Sequence, residues 1–564
     1  ADHTKLNNIE ASATADQTAS EIKTLLQSDK LTVNEIADNA VTTAKILNSN
    51  VTTAKIADDA VTSAKIADNS ITSAHIAPDT VIAADIAANA VGSSELADNA
   101  VDTAAIANSA VTSAKIADGT IVNADINASA AIAGSKITPT FTADGSFNSI
   151  SIGKGSNSRF ANTVLGEGAL NSNTNGTQNI AIGRNALNNN TTGQTNIAVG
   201  SSALSSNTTA NNNTAIGNSC LSSNTGGARN VAVGHFCLQS NITGEDNVAI
   251  GFRALNNVTA SNSTAVGYES LKTNTTGGFN TAIGNTALNL NTTGASNVAV
   301  GEAVLRKNTI ASNNTAIGNN SLEKNTTGEK NAACGSAALH ENISGSNNVG
   351  VGRDALRNNT SASNNTAVGY ESLKANTTGI NNVALGSNAL DANTTGNHNI
   401  AIGADALTTG TQVSNCLAIG RRSLQLNTAN NNTAVGSDTL KANTSGALNV
   451  AIGSNSQYNN TTGDNNTALG YASLYANTTA SNNTGIGYFA LYSNTTGTKN
   501  VATGTSALDS NTTGNHNTAV GYLSLSANTT AQQNTALGNV ALENNTTASF
   551  GVAVGSQALR NNTT

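Results

Sequence analysis

A glycine that usually follows an apolar residue returns every 17 residues from Gly166 to Gly555, 24 times in all, with only two steps of 16, Gly251 to Gly267 and Gly420 to Gly436. This constrains the fold more than any other feature, because so short a unit cannot bury an apolar face alone and must stack on its own copies. Counted from the glycine, the consensus is a small residue at +3, Leu at +4, Asn-Thr-Thr at +7 to +9, Gly or Ala at +10, Asn at +13, then Val or Thr, Ala, and Ile or Val. One copy runs Gly183, Ala186, Leu187, Asn190, Thr191, Thr192, Gly193, Asn196, Ile197, Ala198, Val199. The stretch after the last Asn alternates between two faces and is rich in β-branched residues, which suits a short strand. Asn-Thr-Thr-Gly is turn chemistry. A second short extended segment is expected around Ala-Leu. Stacked copies about 4.8 Å apart pair each backbone group with the coil above and below and align identical residues, so Asn and Thr columns can form hydrogen-bonded ladders.

Composition agrees with a one-dimensional stack. The chain has 564 residues, enough for several globular domains, but no Met or Trp, 3% aromatic and 11% charged residues. A thin coil interior needs only Ala, Val, Ile and Leu. The charge of -8, without a basic cluster, argues against nucleic-acid binding. No apolar run approaches the roughly 20 residues of a membrane span, so no membrane insertion is expected. Ala1 in a chain without Met, and an array that stops within a turn at Thr564, raise the expectation of sequence before Ala1 and of a capping domain beyond Thr564.

The motifs NTAIGNSCL at 213–221 and NTAVGYESLK at 365–374 resemble the head repeats of trimeric autotransporter adhesins, whose coils also carry an Asn-x-Ala-Ile-Gly strand. The resemblance spans about 400 residues and implies a parallel β-roll in which three chains pack side by side; the family's usual coil is shorter than 17 residues. The fold class expected is all-β, an elongated fibre of 17-residue coils built as a homotrimer. The closing residue of the turn repeats as Gly, Gly, Ala (Gly193 is followed by Ala210, Gly227 by Gly244 and Ala260), which fits either three repeats per turn of a wider helix or duplication of a three-repeat block.

Residues 31–137 carry a period of ten, with Val41, Val51 and Val61 in one column and Ile36, Ile46 and Ile56 in another. Five residues per apolar step fits a shaft of short extended pieces and bends. These decads, and the opening segment before them, look like segments of bacteriophage tail fibres. Ala19, Ile22, Leu25 and Leu26 share one helical face, so a short amphipathic helix for trimer contacts is expected over 15–27. The organisation expected is a helical segment at 1–30, the decad shaft at 31–137, a joining segment at 138–160 with Pro139, Phe141 and Phe147, and the array at 161–564.

Catalytic chemistry has no visible carrier. Cys220, Cys237, Cys334 and Cys416 lack zinc spacing, the six His are dispersed, and no nucleophile elbow, P-loop or calcium-binding nonapeptide appears. Neither cofactor nor metal is expected. Cys220 and Cys237 both lie at +3 of consecutive repeats and are either a disulfide or two small buried side chains. The many Asn-x-Thr sequons read as turn and ladder chemistry in a bacterial or phage product, and as glycosylation sites only in a eukaryotic secretory setting.

Tyrosine is distributed unevenly. Tyr458, Tyr475 and Tyr492 occupy +5 of three successive repeats, and Tyr471, Tyr488 and Tyr522 occupy +1, as do the more distant Tyr268 and Tyr370. Stacking turns these into exposed aromatic columns, which either contact sugars through rings and neighbouring amides or stabilise their own ladder. The expected function is a structural fibre for host or surface attachment, part of a virion. Its expected partners are its own copies, a host cell-surface glycan or other receptor, and tail proteins. The alternative is a bacterial trimeric surface adhesin or extracellular filament subunit. A glycan-degrading β-helix would need clustered carboxylates in a groove, and the sequence shows none.

Overall fold

A computed structural model describes residues 145–147 and 150–563. The helix expected over 15–27 and the decad shaft lie outside these residues, as do residues 138–144, 148 and 149 of the joining segment. The described region is an all-β solenoid whose strands belong to a single sheet.

Two antiparallel pairings start it. Strand β1 (Gly145–Phe147) pairs with β2 (Ile150–Gly153), and β2 pairs antiparallel with β3 (Thr163–Gly166), so the first edge of the stack is covered by a hairpin. From β3 onward every pairing is parallel. Each later strand is three residues long, from β4 (Ile180–Ile182) to β26 (Val552–Val554). Strand β10 (Thr281–Ile283) pairs Thr281 with Val298 and Ala282 with Ala299 of β11 (Val298–Val300), a shift of one repeat. One 17-residue repeat is therefore one full turn, about 23 turns in all. The Gly-Gly-Ala rhythm runs along the stack and does not describe three sides of a wider coil. At ~4.8 Å per coil the stack is about 110 Å long.

Each strand buries its middle residue. Ala282 and Ala299 are fully buried, and the residues on either side face outward. Behind this column lies the Leu column, in which Leu187, Leu204, Leu221 and Leu238 have no exposed surface. A buried Leu contributes about 1.5–3 kcal/mol, so one Leu and two small residues per coil form a continuous if narrow core.

The segment around Ala-Leu differs from expectation: it is a run of turns and not a second strand. In the coil that begins at Gly284, Thr286, Leu288 and Ser296 have φ of 54°, 50° and 58°, left-handed values that recur at +2, +4 and +12, the last at +11 in the two 16-residue coils. These residues aim their N–H groups along the stack. Asn185 donates back to the Glu167 carbonyl (2.8 Å), and Leu187 donates forward to that of Ala203 (3.0 Å). Left-handed Leu costs roughly 1–2 kcal/mol. Burial of its side chain and a backbone hydrogen bond in every coil offset that cost.

The repeating glycine has a different constraint. Gly284 has φ 137°, and a Cβ there would lie 2.2 Å from the carbonyl oxygen of Gly301 in the next coil. The position requires glycine both for its backbone angle and for the close approach.

Both 16-residue coils keep strand register, with Val248 opposite Thr264 and Leu417 opposite Thr433. The deletion falls in the turn. Asn247 Nδ2 reaches the Ala260 carbonyl (2.9 Å) and Asn427 Nδ2 that of Ala429 (2.7 Å), so these Ala residues do the work of +10 and the second Thr of the turn is what has gone. Elsewhere that Thr is exposed, as at Thr192, so its loss disturbs little packing.

Candidate functional site

Two buried asparagine ladders hold the turns. At +7, Asn207 Nδ2 donates to Asn190 Oδ1 of the preceding coil (2.8 Å) and to the Ala210 carbonyl of its own (3.1 Å). At +13, the Asn196 amide N–H donates to Asn179 Oδ1 (2.9 Å), while Asn196 Nδ2 donates to that same Ala210 carbonyl (2.9 Å). One +10 carbonyl thus accepts from both ladders. The pair fails together: Val258 and Ser263 replace the two Asn in the coil that begins at Gly251, and Gly410 and Cys416 replace them in the coil that begins at Gly403. Val258 cannot donate to the coil before it, and Asn241 Oδ1 is accordingly buried without a partner. The ladder Asn of the sequons, such as Asn190 and Asn207, are fully buried and hydrogen-bonded, so the folded chain offers those side chains to no modifying enzyme.

The tyrosine columns form as the register requires. Tyr458 and Tyr475 stack with ring centroids 5.3 Å apart, Tyr475 and Tyr492 at 5.1 Å, and Tyr471 and Tyr488 at 5.5 Å. Phe489, which sequence reasoning passed over, joins the columns, 4.1 Å from Tyr488 and 4.7 Å from Tyr492. Tyr522 stands apart, because Thr505 holds the +1 position between it and Tyr488. The +1 rings are the exposed ones: Tyr471 at 46%, Tyr488 at 49% and Tyr522 at 54%, whereas Tyr458, Tyr475 and Tyr492 are half-buried. Parallel rings at this spacing face one another, because coplanar rings would overlap. Within a column, ring edges and hydroxyls are what point outward. Lys441 Nζ lies 5.2 Å from the Tyr458 ring centre and 3.1 Å from its hydroxyl, closing that end.

Other columns carry charge. Arg306 Nε donates to Glu323 Oε1 (3.0 Å), and His340 lies between Glu323 Oε2 (2.8 Å) and Glu341 Oε1 (2.9 Å). Burial opposes ionisation of Glu323, yet hydrogen bonds from Arg306 and His340 hold its carboxyl below the usual range. Asp391 is the opposite case: burial pushes its carboxyl up to about 6, Glu371 and Asp405 add repulsion, and its Oδ1 has no partner. Gln457 occupies a Leu position, fully buried, with Oε1 unpartnered.

Cys220 and Cys237 are free thiols in neighbouring coils, both buried, so of the two readings the structure has the small buried pair. Their mutual hydrogen bond, with burial adding to it, pushes the Cys220 thiol up. Among the described residues no group of three or more His, Cys, Asp or Glu is arranged to hold a metal, and no helix is long and apolar enough to cross a membrane.

No protein-family model matches the chain, and no curated protein matches it in sequence. The fold itself defines the class: a repetitive structural β-solenoid.

Proposed function

We propose that the chain is a non-catalytic fibre protein, a homotrimeric tail fibre of a virion that displays a surface for attachment to a host glycan or other receptor. The observation that carries this reading is the unbroken coil-to-coil register from β3 to β26, which converts chain length into reach with very little core. A second feature supports assembly from several copies. The strands expose aliphatic side chains at +14 and +16 along the stack, among them Ile283 at 41%, Leu385 at 44% and Leu469 at 44%. Such a stripe with a repeat of ~4.8 Å is matched along its length by a partner of equal pitch, and another copy of this chain has that pitch. The decad resemblance supports the tail-fibre setting.

Attachment is assigned to the tyrosine patch of Tyr458, Tyr471, Tyr475, Tyr488 and Tyr492, with Tyr522 beyond it. Its row of hydroxyls about one coil apart suits hydrogen bonding to successive groups of a polymer, and repetition of weak contacts adds avidity. Replacing Tyr475 and Tyr492 together by Ser is expected to abolish adsorption to the host surface. Unchanged adsorption by the folded double variant would remove the patch from the attachment surface.

A further inference from the structure

A second aromatic cluster lies far from the tyrosine patch, on the coils that begin at Gly234, Gly251 and Gly267. We propose that it binds a saccharide unit carrying a carboxylate, an inference that rests on the attachment reading and specifies one ligand class for it. The +1 column contributes His235, Phe252 and Tyr268, and the +2 column contributes Phe236 and Arg253. His235 stacks on Phe236 at 3.7 Å, and Phe252 stacks on Tyr268 at 5.4 Å and 12°.

Arg253 is the centre of the site. Its guanidinium carbon sits 5.1 Å from the Phe252 ring centre and 5.9 Å from that of Phe236. Its carboxylate contact, to Glu269, is 3.7 Å, longer than a hydrogen bond. Glu269 is itself engaged by Lys272 Nζ at 2.8 Å. Arg229 differs: it donates to Asp246 Oδ1 at 2.6 Å and to Asp246 Oδ2 at 2.9 Å. Arg253 thus presents N–H donors next to aromatic rings, with its side chain 41% exposed and its charge not spent on a close partner. A carboxylate is the planar acceptor that this fork matches with two parallel hydrogen bonds.

Tyr268 supplies the second half of the site. One ring face lies against Phe252, and the residue ends this aromatic run, because position +1 of the next coil is Asn285. Tyr268 is 52% exposed, and Asn285 is exposed beside it in the column. The exposed part of the Tyr268 ring receives the apolar face of a pyranose, and the Asn285 amide one step along the axis receives its hydroxyls. With Lys272 answering Glu269, Arg253 is left as the net charge facing the ligand's anion.

The test uses the full chain and titrates it by calorimetry with an oligogalacturonate and with a sialylated lactose, each beside its carboxyl-reduced form. The wild type is expected to bind at least one acidic probe, with affinity about tenfold or more above its reduced form. Arg253→Gln and Arg253→Lys each lower that affinity about tenfold or more, Lys failing because it lacks the fork. Tyr268→Ala weakens both forms of the bound probe. Failure of both acidic probes to bind, or equal binding by a folded Arg253→Gln variant, overturns the proposal. Host-surface adsorption of the same protein separates the two readings: adsorption without acidic-probe binding sinks the site alone, and probe binding without adsorption sinks the attachment reading alone.

Discussion

Single residues in this protein are judged by the column they stand in. Asparagine, a poor choice for a globular core, is well suited here because each copy meets another at hydrogen-bonding distance, and the cost of a broken ladder is visible at Asn241, orphaned by Val258. Gln457 is the converse, a polar residue in an apolar column. Its Nε2 donates to the Val450 and Asn466 carbonyls at 3.2 Å and 3.3 Å, while Oε1 has nothing. Gln457→Leu is therefore expected to stabilise the surrounding coils by about 1–3 kcal/mol, the usual cost of an unsatisfied buried group; slower amide exchange in residues 450–475 is the readout, and faster exchange would show that the Gln is needed. Asp391 makes a pH-dependent case. Its folded pKa, about 6, lies above the ordinary carboxylate value, so the neutral form's contribution is complete below the unfolded pKa and is lost as pH rises through about 6. Asp391→Asn should leave thermal stability little changed below pH ~4 and raise it at neutral pH, flattening the profile between. A parallel offset at every pH would assign the effect to packing instead.

At the scale of the element, strand and turn respond to glycine in opposite ways. Strand β14 (Val349–Val351) has Gly350 where its neighbours have Ala, and a Cβ there would meet its nearest atoms at an ordinary 3.4 Å. Gly350→Ala is expected to stabilise by about 0.5–1 kcal/mol, through a less free unfolded chain and a completed Ala column. Gly284→Ala, with its Cβ 2.2 Å from the Gly301 carbonyl oxygen, should open the stack at that coil. Chemical denaturation of the two variants side by side checks this, and equal effects would contradict the close-packed turn. The strands, the Leu column and the ladders were legible in the sequence, because stacking converts spacing directly into contact. The left-handed Leu residues were not: local propensity assigns Leu to helix or strand, and only coil-to-coil hydrogen bonding, which no single repeat reveals, favours the conformation seen at Leu288. Phe489 and Arg253 were also missed as parts of clusters. Aligning +1 and +2 across the 17-residue step from Gly234 to Gly251 would have brought Arg253 beside Phe236, and the 16-residue step to Gly267 puts Tyr268 next to Phe252, so the signal was present.

Over the solenoid as a whole, length is the product of the sequence: one repeat adds one coil and one increment of reach. In the proposed homotrimer the exposed aliphatic stripe would be buried and the aromatic clusters left to meet a surface, so that the proposed assembly and attachment would use different columns of one coil. Both depend on the claim that each repeat is a complete turn. Cryo-electron microscopy of the full chain tests this most directly. The expected image is an array about 110 Å long with an axial layer spacing of ~4.8 Å, one 17-residue repeat per layer; an array near a third of that length, with three repeats per layer, would contradict the one-repeat turn.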